Sequence, residues 1–237
     1  MNIFQIHISD HDGPLPDPLR ATSQSVRQFH PDATYELYNG SRLRSFIDEA
    51  YGAQVLRAYD RLKPYAFKAD LGRLCLVHHF GGLYVDLPIR MNLPLRPAPE
   101  IQALLFRDLN LGLPYGWGVQ NAFFYAQAGA AFLHKAIDLI VEHVERGDYG
   151  LMPFSVTGPG LFGRALALNG EKTGHVYGDR IPLTPLHAKK NFAFVLPDGA
   201  ILAWAKQTGH GGDLTPYGET AGNNYMQMWK DRDIFRE

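Results

Sequence analysis

The sequence predicts an α/β layered domain with a mainly parallel central sheet flanked by helices. Three observations predict it. Short alternating apolar runs, as strands make, recur between longer stretches with helical spacing. Glycine, proline and asparagine separate the two kinds of segment. Apolar residues are 46% of the 237, enough for the core of one sizeable domain. No repeat, low-complexity tract or linker divides the chain, so residues 1–237 read as one domain, with 206–237 a candidate C-terminal lid.

The elements follow in order. Ile3 to Ile8 alternates weakly and reads as a first strand. Asp10 to Pro18 holds three prolines and one glycine and reads as a loop. Leu19 to His30 reads as a helix ending near Pro31, and Ala33 to Tyr38 as a short strand. Asn39-Gly40 marks a turn. Leu43, Phe46, Ile47, Ala50 and Tyr51 recur at helical spacing, so Ser41 to Ala50 opens a helix. Pro64 precedes a helix over Tyr65 to His79, which Gly81 and Gly82 stop. Leu83 to Leu87, Ile101 to Phe106 and Asn121 to Ala126 read as strands. Phe132, Ala136, Leu139, Ile140 and Val144 form one apolar stripe, closed by Gly147. Another helix starts near Gly158. Beyond Pro182, short apolar pieces alternate with glycine and proline.

Charged residues make up 20% and the net charge is -1. That gives no electrostatic footprint for nucleic acid or an anionic membrane. Cys75 is the only cysteine. It reads as a buried small hydrophobe and fits a reducing compartment. The start of the chain lacks the basic and apolar segments of a secretory signal. No stretch approaches the ~20 apolar residues of a spanning helix. The expected setting is cytoplasmic, with no transmembrane segment and with peripheral membrane association left open.

The chemistry concentrates in KADLGRLCLVHHFGGLYVDLPIRM. Asp70 and Arg73 are three residues apart on an expected helix and share a face. Taken alone, that is a local ion pair worth a few tenths of a kcal/mol. But the helix runs through Gly81-Gly82 into a strand that puts Tyr84 and Asp86 on one side. Pro88 cannot donate to a central ladder and closes this strand. Asp86 therefore lies near a strand's carboxyl end, where open α/β sheets bind ligands.

Ala69-Asp70-Leu71-Gly72-Arg73, seven residues, then Gly81-Gly82-Leu83-Tyr84-Val85-Asp86 resembles glycosyltransferase family 32. This is the glycosyltransferase sugar-binding region containing DXD motif. It includes mannosyltransferase-like enzymes, and the catalytic domains of large clostridial glucosylating toxins share the local pattern. Every spacing matches and one residue departs, Pro88 standing where the second acid of D-x-D belongs. Weaker likenesses are Ile6-His7, FHPDATYELYNG, Asn121, and VTGPGLF from Val156.

The resemblance implies a GT-A type fold and a nucleotide-diphosphate sugar donor, UDP- or GDP-hexose, with a glycan or other hydroxyl acceptor. It implies that Asp70 and Arg73 hold donor-sugar hydroxyls and that Asp86 contacts the ribose and the metal region. These three are the candidate catalytic residues. Ile6, His7 and Tyr84 join them as donor-binding candidates. The family's second acid normally ligates Mn²⁺ or Mg²⁺, which would stabilise the leaving diphosphate. Pro88 leaves three readings open. Asp86 holds a metal together with phosphates, water and a late ligand; or Arg and Lys neutralise the diphosphate without metal; or the site binds sugar nucleotide without turnover.

Other residues carry weaker signals. His78 and His79 point ~100° apart on a helix, and His134 and His143 are too far apart on one helix to share a ligand. Thr157 and Gly158 open a helix that presents N–H groups to phosphate or acceptor, or Thr157 is an ordinary N-cap. The segment from Lys206 to Trp229 reads as a loop that closes over the donor and excludes water. It supplies His210, Asn223, Asn224 and Trp229 as candidates, with His210 the second metal candidate after Asp86. Two functions follow: a hexosyltransferase acting with retention, by family likeness, in polysaccharide assembly; and a non-catalytic nucleotide-sugar or glycan binder on the same scaffold.

Overall fold

The computed structural model describes residues 1–10, 13–108, 118–170, 172–183, 191–206 and 223–237. Strand β1 (Asn2–Ile6), helix α1 (Asp17–Phe29) and strand β2 (Thr34–Tyr38) open the fold, and β1 pairs with β2 in parallel. Helices α2 (Gly40–Arg61) and α3 (Tyr65–Phe80) lead to β3 (Gly82–Val85), parallel to β1 on its other side. Strands β4 (Ile89–Met91), β5 (Ala103–Asp108) and β6 (Val119–Ala126) follow, then helices α4 (Ala131–Arg146), α5 (Pro153–Val156) and α6 (Pro159–Asn169). Strands β7 (His175–Pro182), β8 (Asn191–Val195) and β9 (Ile201–Lys206) precede α7 (Tyr225–Lys230). The described strands form one sheet of order β2-β1-β3-β6-β5-β7-β8-β9-β4.

The sheet is mixed, not mainly parallel. Of its eight pairings three are parallel, β1·β2, β1·β3 and β5·β7, and five antiparallel. Parallel neighbours need a crossover, usually a helix, whereas antiparallel ones do not. Helices do connect the three parallel pairs. Among the described residues between β3 and β6, and from β7 to β9, no helix intervenes, so the chain doubles back.

Two further expectations shift. Asn39 opens no turn: it caps α2, its side chain accepting from the Arg42 N–H at 2.8 Å. And β5 runs past Phe106 to Asp108. Arg107 and Asp108 look like a strand's polar end, but each is matched on β7, by Asp179 at 2.7 Å and Arg180 at 3.2 Å.

Helices cover both faces. On one, α2, α3, α4 and α6 pack against Phe4, Ile6, Tyr84, Leu105 and Phe124. On the other, Val26 of α1 meets Leu83, Val85, Phe106, Phe123 and Phe194. Buried residues run almost unbroken from Phe67 to Val77 in α3, because this helix is apolar nearly all round and packs on every side. Asp70 and Arg73 are buried with it. Gly81 ends α3 at φ 65°. At Gly82, with φ 127°, a Cβ would stand 2.3 Å from the Asn2 carbonyl oxygen, so only glycine lets β3 lie down beside β1.

Candidate functional site

Sheet direction sets one rim. β1, β3, β5 and β7 end there and antiparallel β6 begins there. Asp86, Asn121, Asp108 and Arg180 all lie at or near this rim.

Arg73 is the hub of the first cluster. Its side chain is 5% exposed and lies 3.2 Å from Asp70 Oδ1 and 3.2 Å from Asp86 Oδ1. Nε donates to the Ala69 carbonyl at 3.1 Å and Nη1 to the Asn121 carbonyl at 2.9 Å. The Tyr84 ring faces its guanidinium at 4.6 Å. Burial works against the Arg73 charge, but Asp86, Tyr84 and Asp70 outweigh it and hold the group above its usual range. Asp70 Oδ1 also accepts from Asn121 Nδ2 at 2.8 Å, and Oδ2 from the Thr157 hydroxyl at 2.6 Å. Burial pushes the Asp70 carboxyl up, against the pull of Arg73 and the two hydrogen bonds. Asp86 lies just beyond β3. Its Oδ1 takes the Tyr84 hydroxyl at 2.7 Å, and a third of its side chain remains exposed, 33% against 12% for Asp70. Pro88 sits in the turn that the Ile89 N–H closes on the Asp86 carbonyl at 3.0 Å.

Six expected site residues thus converge: Asp70, Arg73, Tyr84, Asp86, Asn121 and Thr157. Thr157 is not the N-cap; Gly158 holds that position in α6, and the Thr157 hydroxyl goes to Asp70 instead. A Cβ on Gly158 would lie 3.7 Å from Asp70 Oδ2. Ile6 ends β1, and the His7 N–H donates to the Tyr38 carbonyl at 2.9 Å. Asn223 and Trp229 lie elsewhere. Asn223 Oδ1 accepts the Tyr65 N–H at 2.6 Å, supplying the cap that Pro64 cannot give α3, and Trp229 Nε1 donates to the Tyr149 carbonyl at 2.7 Å. His210 and residues 207–222 of the expected lid lie outside the described residues.

Three residues escaped the sequence reading. Arg180 and Asp108 pair at 3.2 Å with side chains 9% and 7% exposed. Gln120 Nε2 donates to Asp108 Oδ2 at 2.6 Å, and the Phe192 ring faces the Arg180 guanidinium at 3.4 Å. Tyr225, first in α7, packs near Phe67 and Phe154. Burial pushes the pKa of its hydroxyl up, with smaller electrostatic contributions from Asp70, Arg180 and Asp86.

Among the described residues no three His, Cys, Asp or Glu converge as metal ligands. Asp86 offers one carboxylate, shared with Tyr84 and Arg73. That donor set does not fit an ion caged by protein alone, since hard divalent cations want six or more oxygens. No helix among the described residues is long and apolar enough to cross a membrane.

Solved structures similar to this one include glycosyltransferases. PaToxG glycosyltransferase superposes with a TM-score of 0.58 over 72% of this chain and 70% of its own, at 16% identity. The UDP-bound glycosyltransferase domain from the YGT toxin gives 0.54 over 98% and 88%, at 8%. The fold is therefore GT-A-like, α/β with a largely antiparallel mixed sheet. Residues 16–103 match the family model of the glycosyltransferase sugar-binding region containing DXD motif. Curated relatives agree. An uncharacterized glycosyltransferase of Acanthamoeba polyphaga mimivirus is 30% identical over 38% of this chain and 37% of its own. Inositol phosphoceramide mannosyltransferase 1 of Schizosaccharomyces pombe is 29% identical over 56% and 40%. The chain thus spans less than half the length of either relative.

Proposed function

We propose that the protein is a hexosyltransferase, moving a sugar from a nucleotide diphosphate onto a glycan or other hydroxyl acceptor with retention. The observation that carries this is the Asp70–Arg73–Asp86 cluster at the end of β3, inside the family-matched stretch. Two relatives named as glycosyltransferase and mannosyltransferase support transfer, and the second favours mannose as the sugar. Cys75, buried and free, supports a cytoplasmic setting.

Within this reading the half-open Asp86 meets the donor. Asp70 accepts a sugar hydroxyl at the cluster's edge, and Arg73 holds the two carboxylates together against their repulsion. Neither carboxylate is set up as a nucleophile: Asp70 is enclosed by three donors, and Asp86 is tied to Tyr84 and Arg73. A front-face route follows, in which the acceptor oxygen bonds to the anomeric carbon as its bond to the diphosphate breaks. The departing phosphate takes the hydroxyl proton.

The second reading, a binder without turnover, rests on Pro88. One experiment separates them. Thermal midpoints are measured with UDP- and GDP-sugars in Mn²⁺, Mg²⁺ or EDTA, since a ligand of the native state raises the midpoint by mass action. Transfer and hydrolysis are then assayed with whichever donor binds. Binding plus transfer supports the hexosyltransferase. Binding without either reaction across an acceptor panel supports the binder. No shift with any nucleotide sugar rejects both.

A further inference from the structure

Among the described residues, Arg180 is a buried cation with few partners. Its guanidinium carries five N–H donors. Among the described residues it meets one acceptor, Asp108 Oδ1, at 3.2 Å. Arg73, also buried, has four of its five donors taken, by two carbonyls and two carboxylates. Burying a guanidinium with most of its donors idle is costly, and ion pairs of this kind seldom stabilise a fold more than apolar residues would. Packing alone does not account for Arg180.

Its position does. Arg180 stands near the end of β7, towards the rim where Asp86 follows β3 and Asp108 ends β5. Phe192 stacks on its flat face, and Asp108 holds one corner, so the planar fork is oriented with an edge that no described residue meets. Tyr225 lies within electrostatic reach of Arg180 and of Asp70 and Asp86 alike. Charge sharpens the point. Asp70, Asp86 and Arg73 sum to one net negative charge, and Arg180 with Asp108 adds nothing. A diphosphate entering there meets one acid where its family has two, and needs a cation.

We propose that Arg180 is the diphosphate-binding group of this site, receiving phosphate oxygens on its free N–H edge while Asp108 and Phe192 hold it in place. This rests on the nucleotide-sugar reading but names a residue outside the family-matched stretch. Guanidinium suits the task, because its fork matches two phosphate oxygens at once.

The test uses the whole chain, with UDP, GDP and inorganic pyrophosphate as probes, in Mg²⁺ and in EDTA, by calorimetry. Arg180→Gln and Arg180→Lys are compared with the double variant Arg180→Met, Asp108→Leu, which removes the buried pair together. The expected result is a weakening of diphosphate and pyrophosphate binding by about tenfold or more in Arg180→Gln, as for loss of a charge-assisted pair of hydrogen bonds. Arg180→Lys loses less, and uridine or guanosine itself binds unchanged. The double variant recovers the thermal midpoint of the parent but not its affinity. Wild-type affinity in Arg180→Gln, or recovery of both midpoint and affinity in the double variant, overturns the proposal. The parent binding pyrophosphate through Arg180 but no nucleotide or nucleotide sugar upholds Arg180 and rejects the nucleotide-sugar reading. A parent that binds none of the probes rejects both.

Discussion

Two arginines are buried at one end of the sheet, and they are buried differently. Arg73 sits on a helix, between two carboxylates and two carbonyls. Arg180 sits on a strand, stacked on one ring and paired with one acid. Four of the first's five N–H donors meet acceptors; among the described residues the second meets one. Saturation fixes a scaffold, whereas idle donors leave room for a ligand.

That contrast breaks most readily at Arg73. Arg73→Ala strips the hub from Asp70, whose carboxylate is then enclosed without its cation. A loss of about 3–5 kcal/mol is expected in denaturant melts, against little loss for the paired replacement of Arg180 and Asp108. Equal costs at both arginines would end the distinction. Next comes Asp86→Ala. The most exposed of the three charges contributes least to folding, so the melting temperature stays near the parent's. Initial-rate assays of transfer should fall by about 10²–10³-fold, the scale on which lost electrostatic contacts act.

Smaller effects test the support of Asp70. Thr157→Val keeps the shape and removes one donor from a buried carboxylate, a cost of about 1–3 kcal/mol, which Thr157→Ser largely restores; urea midpoints read this directly. The smallest effect lies away from both arginines. His30 Nδ1 lies 2.8 Å from the Val26 carbonyl, and Nε2 accepts the Leu95 N–H at 2.9 Å, so the neutral ring is the one that fits. Burial holds its pKa below the ordinary 6.5. The unfolded chain therefore takes the proton more readily. Stability from this group is complete above about 6.5 and falls as pH drops toward the folded-state pKa. Melts across that range should slope downward on acidification, and less steeply in His30→Gln.

The two clusters also differ in how far the sequence reveals them. Asp70 and Arg73 are three apart on a helix, and two glycines deliver Asp86 a fixed distance on. Everything that builds that half is local. Thr157 is visible as a residue, but its partner is not: a Thr before Gly-Pro looks like a cap, and only the approach of the α5–α6 junction to α3 gives its hydroxyl to Asp70. Asp108 and Arg180 are separated by 72 residues. The register of two parallel strands brings them together, and no spacing in the sequence encodes that register. The mixed character of the sheet is hidden for the same reason. Helical crossovers are written in periodicity, while reversals such as β3 to β6 are written in which edges remain to be paired.

The far end of the chain has a role of its own. Asn223 closes the start of α3, Lys63 meets Asp233, Arg61 reaches the Arg236 carbonyl at 3.1 Å, and Leu62 bridges to Phe235. These stitches all fall at the junction of α2 and α3, directly ahead of the helix that carries Asp70 and Arg73. Proteolytic clipping after residue 222 would therefore behave as a lesion of the motif helix itself, loosening its first turn. A protease that trims this chain from the back would disable the charge cluster before it touched a single one of the cluster's own residues.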